Sequence, residues 1–262
     1  MGERNLEKLA IISDIHSNIV ALDSVLEHIR SQACVKIVCC GDLAGYGPRP
    51  NEVINRIREL NIPTIMGNYD EAVGFLLPVC GCNLDDKNQK RLSNNSLKWS
   101  IANTTEENRK FLRSLPESFE IEFAKKKIVL LHSTFDSINE YIYEEDLERI
   151  NEILEDFEQD IYIYGHTHFP FVKYVKDKLI INAGSVGRPK NFDNRGSYIM
   201  LEHDGNKIDC SIYFVEYDIE LVSKEIEISG LDSYFADFLR CAGDVDKCCE
   251  VNLDCKVKEV KK

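Results

Sequence analysis

No apolar run in this chain approaches the ~20 residues that a bilayer-spanning helix needs, so a spanning helix is not expected. The opening residues, MGERNLEKLAIISD, are charged and enter a strand almost at once. They lack the apolar core of a secretory leader, so no signal peptide and a cytoplasmic location are expected. Basic residues are in deficit: 32 Lys and Arg against 45 Asp and Glu leave a net charge of −13. A non-specific nucleic-acid binder presents a basic face, so strong nucleic-acid binding is not expected. The deficit does not exclude a phosphate-bearing substrate, because bound cations can reverse the local field. Tight CxxC pairs are missing among the 10 cysteines. Without a leader the thiols are expected to be reduced. Cys34, Cys39 and Cys40, in or beside VKIVCCGD, read as small core residues. Cys80 and Cys82 flank a glycine, and Cys241, Cys248, Cys249 and Cys255 fall in a polar tail, about 241–262. A structural zinc is the alternative for that tail, but its spacings match no standard knuckle. Internal repeats and low-complexity linkers are also missing, so a single domain, 1–262, is expected.

What is present is a globular composition, 44% hydrophobic over 262 residues, enough for one large α/β domain with a sizeable core. Strand–loop–helix units succeed one another: a buried strand at 8–13, a helix to about 32, a strand at 35–40, a helix at 50–60 and a short strand at 63–66. This succession predicts a parallel sheet. The polar stretch 71–115 reads as helices inserted between strands, a candidate lid. Runs at 119–123 and 128–131 flank Lys125, Lys126 and Lys127 and predict a hairpin. Leu147, Ile150, Leu154 and Phe157 mark an amphipathic helix, followed by the run IYIYGHTH. The strands after Pro170 lie close together and are expected to form a second, antiparallel sheet. Two terminal helices are expected, at 218–228 and 233–239.

The strand ends carry the chemistry. The first run ends in Asp14 and His16, the second in Asp42, the third in Asn68, the hairpin in His132, and IYIYG in His166 and His168. Singly, each has an ordinary reading as a cap, a turn residue or a core histidine. Jointly, strand ends of one sheet open on one crevice. Two imidazoles on one tight loop after Gly165 can each give a nitrogen to a metal. The set suits two divalent ions, with Asp42, alone on its loop, as the bridge. Mixed imidazole and carboxylate fits Mn²⁺, Fe and Zn²⁺ without choosing among them.

In this order, DIH, GDLAGYGPRP, GNYD, LHS and YGHTH resemble the calcineurin-like metallophosphoesterase superfamily, in its YfcE-like, diadenosine tetraphosphatase-like prokaryotic branch. The resemblance runs from about 8 to 215. It implies a four-layer αββα sandwich with a small helical insertion. It also implies that Asp14, His16 and His168 bind one metal, that Asn68, His132 and His166 bind a second, and that Asp42 bridges them. The cofactors implied are two divalent ions, Mn first, with Fe, Zn, Ni or Co as alternatives. The implied reaction is hydrolysis of a phosphodiester or nucleotide phosphoanhydride by direct attack of a metal-bridging hydroxide, with Asp42, Asn68 and Tyr69 as the catalytic set. The Asn68 amide would stabilise charge on the phosphoryl oxygens.

One position departs from the family pattern: Tyr69 stands where many members carry a leaving-group histidine. A phenol with a pKa of about 10 is a poorer acid near neutrality, which favours good leaving groups. Asp70 either orients a ligand or caps the next helix. Asn18 reaches the site or caps its own helix. Tyr46 packs on a base or holds a turn, and Arg188 grips a second phosphate or is solvated, as does Arg195. A phosphomonoesterase or protein phosphatase is one alternative, a non-catalytic scaffold another; the complete ligand set favours the enzyme. The expected partner is a small phosphoester or nucleotide, with a homo-oligomer left open.

Overall fold

A computed structural model describes residues 6–81, 86–155, 157–243 and 245. Cys82, Cys248, Cys249 and Cys255 lie outside them. The first apolar run becomes strand β1 (Glu7–Ile12), and its side chains divide by parity. Leu9 and Ile11 face one way, Ala10 and Ile12 the other, all nearly or wholly buried. A strand buried on both faces needs a layer on each side, and that requirement sets the architecture.

On the Leu9 side lies a second sheet. The first sheet has the order β2-β1-β8-β9, with β2 at Lys36–Cys39, β8 at Gly196–His203 and β9 at Ile208–Val215. The second has the order β3-β4-β5-β7-β6, with β3 at Ser118–Phe123, β4 at Lys126–Leu131, β5 at Ile161–Tyr164, β6 at Phe171–Val175 and β7 at Lys178–Asn182. Between the sheets, Leu9, Ile11 and Ile199 meet Ile128, Leu130, Ile163 and Ile181. On the Ala10 side, helix α1 (Ile19–Ser31) and helix α2 (Pro50–Glu59) bury Leu22, Val25, Ile54 and Ile57. On the far face of the second sheet, helix α6 (Leu147–Glu155) packs Ile150 and Leu154 against Tyr162 and Tyr164. Helix, sheet, sheet, helix is the expected αββα sandwich.

Three expectations change. The strands after Pro170 do not make a sheet of their own. β6 and β7 join the hairpin and β5, while β8 and β9 join β1. Local alternation fixes each hairpin but not its partner. Pairing is set by long-range registers such as Ile11 with Ile199 and Ile163 with Ile181. The run at 63–66 reduces to a single bridge, Thr64 to Cys39: Pro63 has no N–H, and Met66 N donates instead to Pro116 O. The third difference concerns the thiols. Cys34, Cys39, Cys40 and Cys80 are buried and free and Cys210 is free, but Cys241 is disulfide-bonded, against the expectation of reduced cysteines.

The inserted stretch forms α3 (Asn68–Phe75), α4 (Lys87–Asn103) and α5 (Glu106–Arg113). The latter two are started by Asp86 and Thr105, whose side chains accept from Gln89 N and Asn108 N. Leu97 and Leu112 join the outer core of α1 and α2. The last helices, α7 (Ile219–Ser229) and α8 (Tyr234–Arg240), pack with Leu92 of α4 in a separate cluster. Among the described residues no helix is long and apolar enough to cross a membrane.

Ile11, fully buried between the sheets, tests this layering. Ile11→Ala is expected to cost about 2–5 kcal/mol, read as a lower urea midpoint with an unchanged slope.

Candidate metal centre

Each functional side chain sits just past the C-terminal end of a strand or bridge, where the chain must turn at once. The turns are made by left-handed backbone at the functional residues themselves. Asp14 (φ 52°), His16 (47°), Asp42 (55°), His166 (65°) and His168 (66°) all have positive φ. Asp and His tolerate this region better than most residues, but each costs on the order of 1 kcal/mol, and such strain gathers at functional sites. The ends come from both sheets, which corrects the expectation of one. Asp14, His16, Asp42 and Asn68 follow β1, β2 and the Thr64 bridge, whereas His132, His166 and His168 follow β4 and β5.

The two sheets bring their ends together. His168 Nε2 lies 3.1 Å from Asp14 Oδ1 and 3.1 Å from His16 Nε2. Asn68 Oδ1 lies 3.1 Å from both His132 Nε2 and His166 Nδ1. Asp42 Oδ2 stands between the groups, 3.6 Å from His16 Nε2 and 3.6 Å from His132 Nε2. Among the described residues, two sets could each hold a cation, Asp14–His16–His168 and Asp14–Asp42–His132.

Backbone carbonyls aim the rings. His16 Nδ1 faces Ala44 O at 2.9 Å, His132 Nδ1 faces Cys40 O at 2.7 Å, and His168 Nδ1 faces Arg188 O at 2.5 Å. A carbonyl can only accept, so each Nδ1 donates and each Nε2 presents a lone pair to the cluster. Asp14 Oδ2 accepts from Ser13 Oγ and His166 N, and Asp42 Oδ1 accepts from Tyr69 N at 2.8 Å. Asp14 Oδ1 and His166 Nε2 are buried with no hydrogen-bond partner. A buried unpaired carboxylate oxygen is costly. Placed among imidazole lone pairs, it is the donor chemistry that a divalent cation satisfies, so the residues fit the metals.

Asp70 combines the two roles that the sequence leaves open. It accepts from Gly67 N at the start of α3 and from Leu43 N and Ala44 N on the loop after Asp42. It therefore fixes Asp42 and, through Ala44 O, the ring of His16. Burial pushes its carboxyl up to about 7, against backbone N–H donors that lower it. Burial and the neighbouring Asp14 and Asp70 carboxylates raise Asp42 as well.

Other expected site residues are placed differently. Asn18 spends its amide on protein: Oδ1 accepts from Ala21 N as the α1 cap, and Nδ2 donates to Gly187 O. Asn68 donates Nδ2 to Cys80 O at 3.0 Å, so its carbonyl, not that N–H, faces the cluster. The Tyr69 hydroxyl lies 3.0 Å from Ser93 Oγ of α4, with its ring edge-on to His16, a position in the wall beside the site. The ring of Tyr46 stacks on Arg188. Arg195 is tied to Asp193 in a surface ion pair. Sequence reasoning missed Tyr141, whose ring is centred 4.3 Å from that of His166, and Lys190, which lies over Tyr141. Tyr141 and Tyr143, alternating with Ile142, were the available signal. The SVGRP loop proves to be a brace: Val186 N and Gly187 N donate to Ser13 O and Asp14 O.

Comparison with known proteins agrees with this geometry. Residues 8–206 match the Calcineurin-like phosphoesterase superfamily domain. The chain belongs to this superfamily and is a metal-dependent phosphoric ester hydrolase. It is 33% identical over 248 residues to an uncharacterized protein of Methanocaldococcus jannaschii, covering 88% of this chain and 96% of that one. It is 25% identical over 207 residues to Phosphodiesterase YfcE of Escherichia coli, covering 75% and 88%. Among solved structures, a metallophosphoesterase from Sphaerobacter thermophilus superposes with a TM-score of 0.73 at 27% identity, covering 91% of this chain and all of that one. A hypothetical protein from Pyrococcus horikoshii superposes with a TM-score of 0.79 at 21% identity, covering 90% and 98%, and shares the fold.

Two outcomes are expected. A Cβ at Gly165 would overlap Ser13 Oγ and Asp14 Oδ2, so Gly165→Ala is expected to weaken metal binding about 10–100-fold, measured by competition with a chelating dye. The second concerns pH. Burial holds His16, His132, His166 and His168 below their ordinary value of 6.5. A depressed folded pKa means that the unfolded chain binds more protons, so stability is lost as pH falls below about 6.5. Asp42 and Asp70, raised, act in the opposite sense, but four imidazoles outnumber two carboxyls. The melting temperature of chelator-treated protein is therefore expected to fall between pH 7.5 and 5.5, with a smaller fall in His132→Ala.

Proposed function

We propose that this protein is a dinuclear-metal phosphodiesterase that cleaves a phosphodiester or a nucleotide phosphoanhydride. The observation that carries the reading is Asp42: one carboxylate oxygen equidistant from an imidazole of each donor group. In this reading Asp14, His16 and His168 hold one ion, Asn68, His132 and His166 hold the other, and Asp42 is shared. When bound, two such ions clamp a phosphoryl group and lower the pKa of a water toward neutrality. Mn²⁺ is the first choice, with Fe, Zn²⁺, Ni²⁺ and Co²⁺ compatible with the donor set.

The chain's own residues supply position. Three backbone carbonyls keep imidazole lone pairs inward, and Asp70 holds the loops of Asp42 and His16 in register. Cys80 O turns the Asn68 carbonyl to the cluster. Tyr69, buried and bonded to Ser93, spaces α4 from His16; its position supports a packing role over that of a leaving-group acid. Without a placed acid, substrates whose leaving group departs as a stable anion, aryl esters and phosphoanhydrides, suit the site best. The helices at 71–115 act as a wall of the substrate crevice, and a cytoplasmic location is part of the same reading.

The test is hydrolysis of bis-p-nitrophenyl phosphate with Mn²⁺, alongside metal analysis. Wild type is expected to turn over with two ions per chain. Asp42→Asn is expected to lose more than about 100-fold in kcat, beyond what outer-shell partners contribute, and to retain at most one ion. No hydrolysis with Mn²⁺, Ni²⁺ or Co²⁺ would defeat the reading, and faster release from phosphoserine peptides would point to a monoesterase.

A further inference from the structure

Beside the metal centre lies a cleft of about 480 Å³. It adjoins three of the cluster histidines: Tyr46 is edge-on to His16, Tyr141 lies against His166, and Arg188 carries the carbonyl that orients His168. Its lining is unusual for a chain of net charge −13. Among the described residues it holds two cations, Arg188 and Lys190, and no Asp or Glu, within a wall that is mostly aromatic.

Arg188 is the informative member. It is 6% exposed, and its guanidinium carbon lies 3.9 Å from the centres of two rings, Tyr46 and Phe238. Two ring contacts at this distance occupy the carbon of the guanidinium and leave for polar partners its edge, where all five N–H donors point. Among the described residues that edge donates no hydrogen bond and meets no carboxylate. A buried fork of donors without an acceptor, fixed by two rings, is built to receive a planar or tetrahedral oxyanion in two-point contact. Lys190 lies further along the same cleft, 5.7 Å from the centre of Tyr141. Tyr141 and Tyr143 are near-parallel, with Phe169 edge-on to Tyr143. Rings in this arrangement offer a platform on which a base can stack.

We propose that the cleft receives a nucleotide: a phosphate flanking the scissile phosphorus binds Arg188 and Lys190, and the base stacks on the wall of Tyr141, Tyr143 and Phe169. Tyr46 is then the clamp that holds Arg188 rather than the surface on which the base packs. The proposal rests on the phosphoesterase reading for the chemistry at phosphorus, but not for binding. It narrows the substrate to a nucleotide carrying at least one further phosphate.

Two measurements separate the parts. Calorimetry on the full chain, with and without Mn²⁺, compares AMP with inorganic phosphate. AMP is expected to bind at least about tenfold tighter. Lys190→Ala should weaken AMP about tenfold, and Tyr143→Ala should remove most of the preference for AMP, while Tyr143→Phe retains both fold and preference. Kinetics with Mn²⁺ then compare a dinucleoside tetraphosphate with bis-p-nitrophenyl phosphate, which has no second phosphate. Lys190→Ala should raise KM for the nucleotide about tenfold and change kcat/KM for the diester by less than about threefold. Equal affinity for AMP and phosphate, or equal losses on both substrates, overturns the proposal. AMP binding retained with no hydrolysis of any ester upholds it and defeats the phosphoesterase reading instead.

Discussion

Two buried carboxylates, Asp14 and Asp42, face four imidazoles that burial keeps neutral, and among the described residues no Lys or Arg is paired with either carboxylate. Few arrangements in a protein interior are less favourable on their own. Among the described residues Asp14 Oδ1 has no hydrogen-bond partner, and Asp42 is pushed upward by burial and by the carboxylates around it. The polypeptide holds these groups in place with backbone geometry and hydrogen bonds directed from behind. The missing positive charge is what bound divalent metal supplies, and the rest of the structure can be understood as the frame that keeps the donors in place for it.

That frame is made of loops that are individually strained and mutually tied. Left-handed residues turn the chain immediately after β1, β2 and β5, so that side chains one residue apart reach the same point. Asp70 ties the loop of Asp42 to the start of α3. The loop at 185–188 ties the end of β1 to His168 through Ser185 Oγ and Arg188 O. Glycines stand where the frame is tightest: Cβ atoms at Gly67 and Gly165 would occupy the space of the Asp42 and Asp14 carboxylates. Helices on one side and α6 on the other bury the outer faces of the sheets, which gives the strained ends a rigid base.

Much of this was legible in the sequence because the ligands sit beside punctuation. An apolar run followed by Gly or a turn residue and then by Asp or His marks a strand end, and five such ends in order marked the seven side chains that the fold brings close together. The helices of 71–115 and the αββα layering were also visible. What could not be read was partnership at a distance. β7 and β8 are both short, largely apolar and buried runs, yet one joins β5 and the other β1; only the packed registers distinguish them. The same limit hid the cleft. Tyr141 and Lys190 lie nearly fifty residues apart in sequence, so no local pattern pairs them, and Arg188 gave no hint that two rings would flank it. Asn18 and Asn68 show a different failure. Whether the amide is spent on protein, as in Asn18, or turns its carbonyl to the site, as in Asn68, depends on Gly187 O and Cys80 O, acceptors that no local pattern announces.

The central claim is that Asp42 joins two cation sites made by loops from different sheets. It is tested most directly by crystals grown with Mn²⁺ and measured on both sides of the manganese absorption edge. Two anomalous peaks flanking the Asp42 carboxylate are expected, one beside Asp14, His16 and His168 and the other beside Asn68, His132 and His166. A single peak, or two peaks that do not share Asp42, would contradict the account.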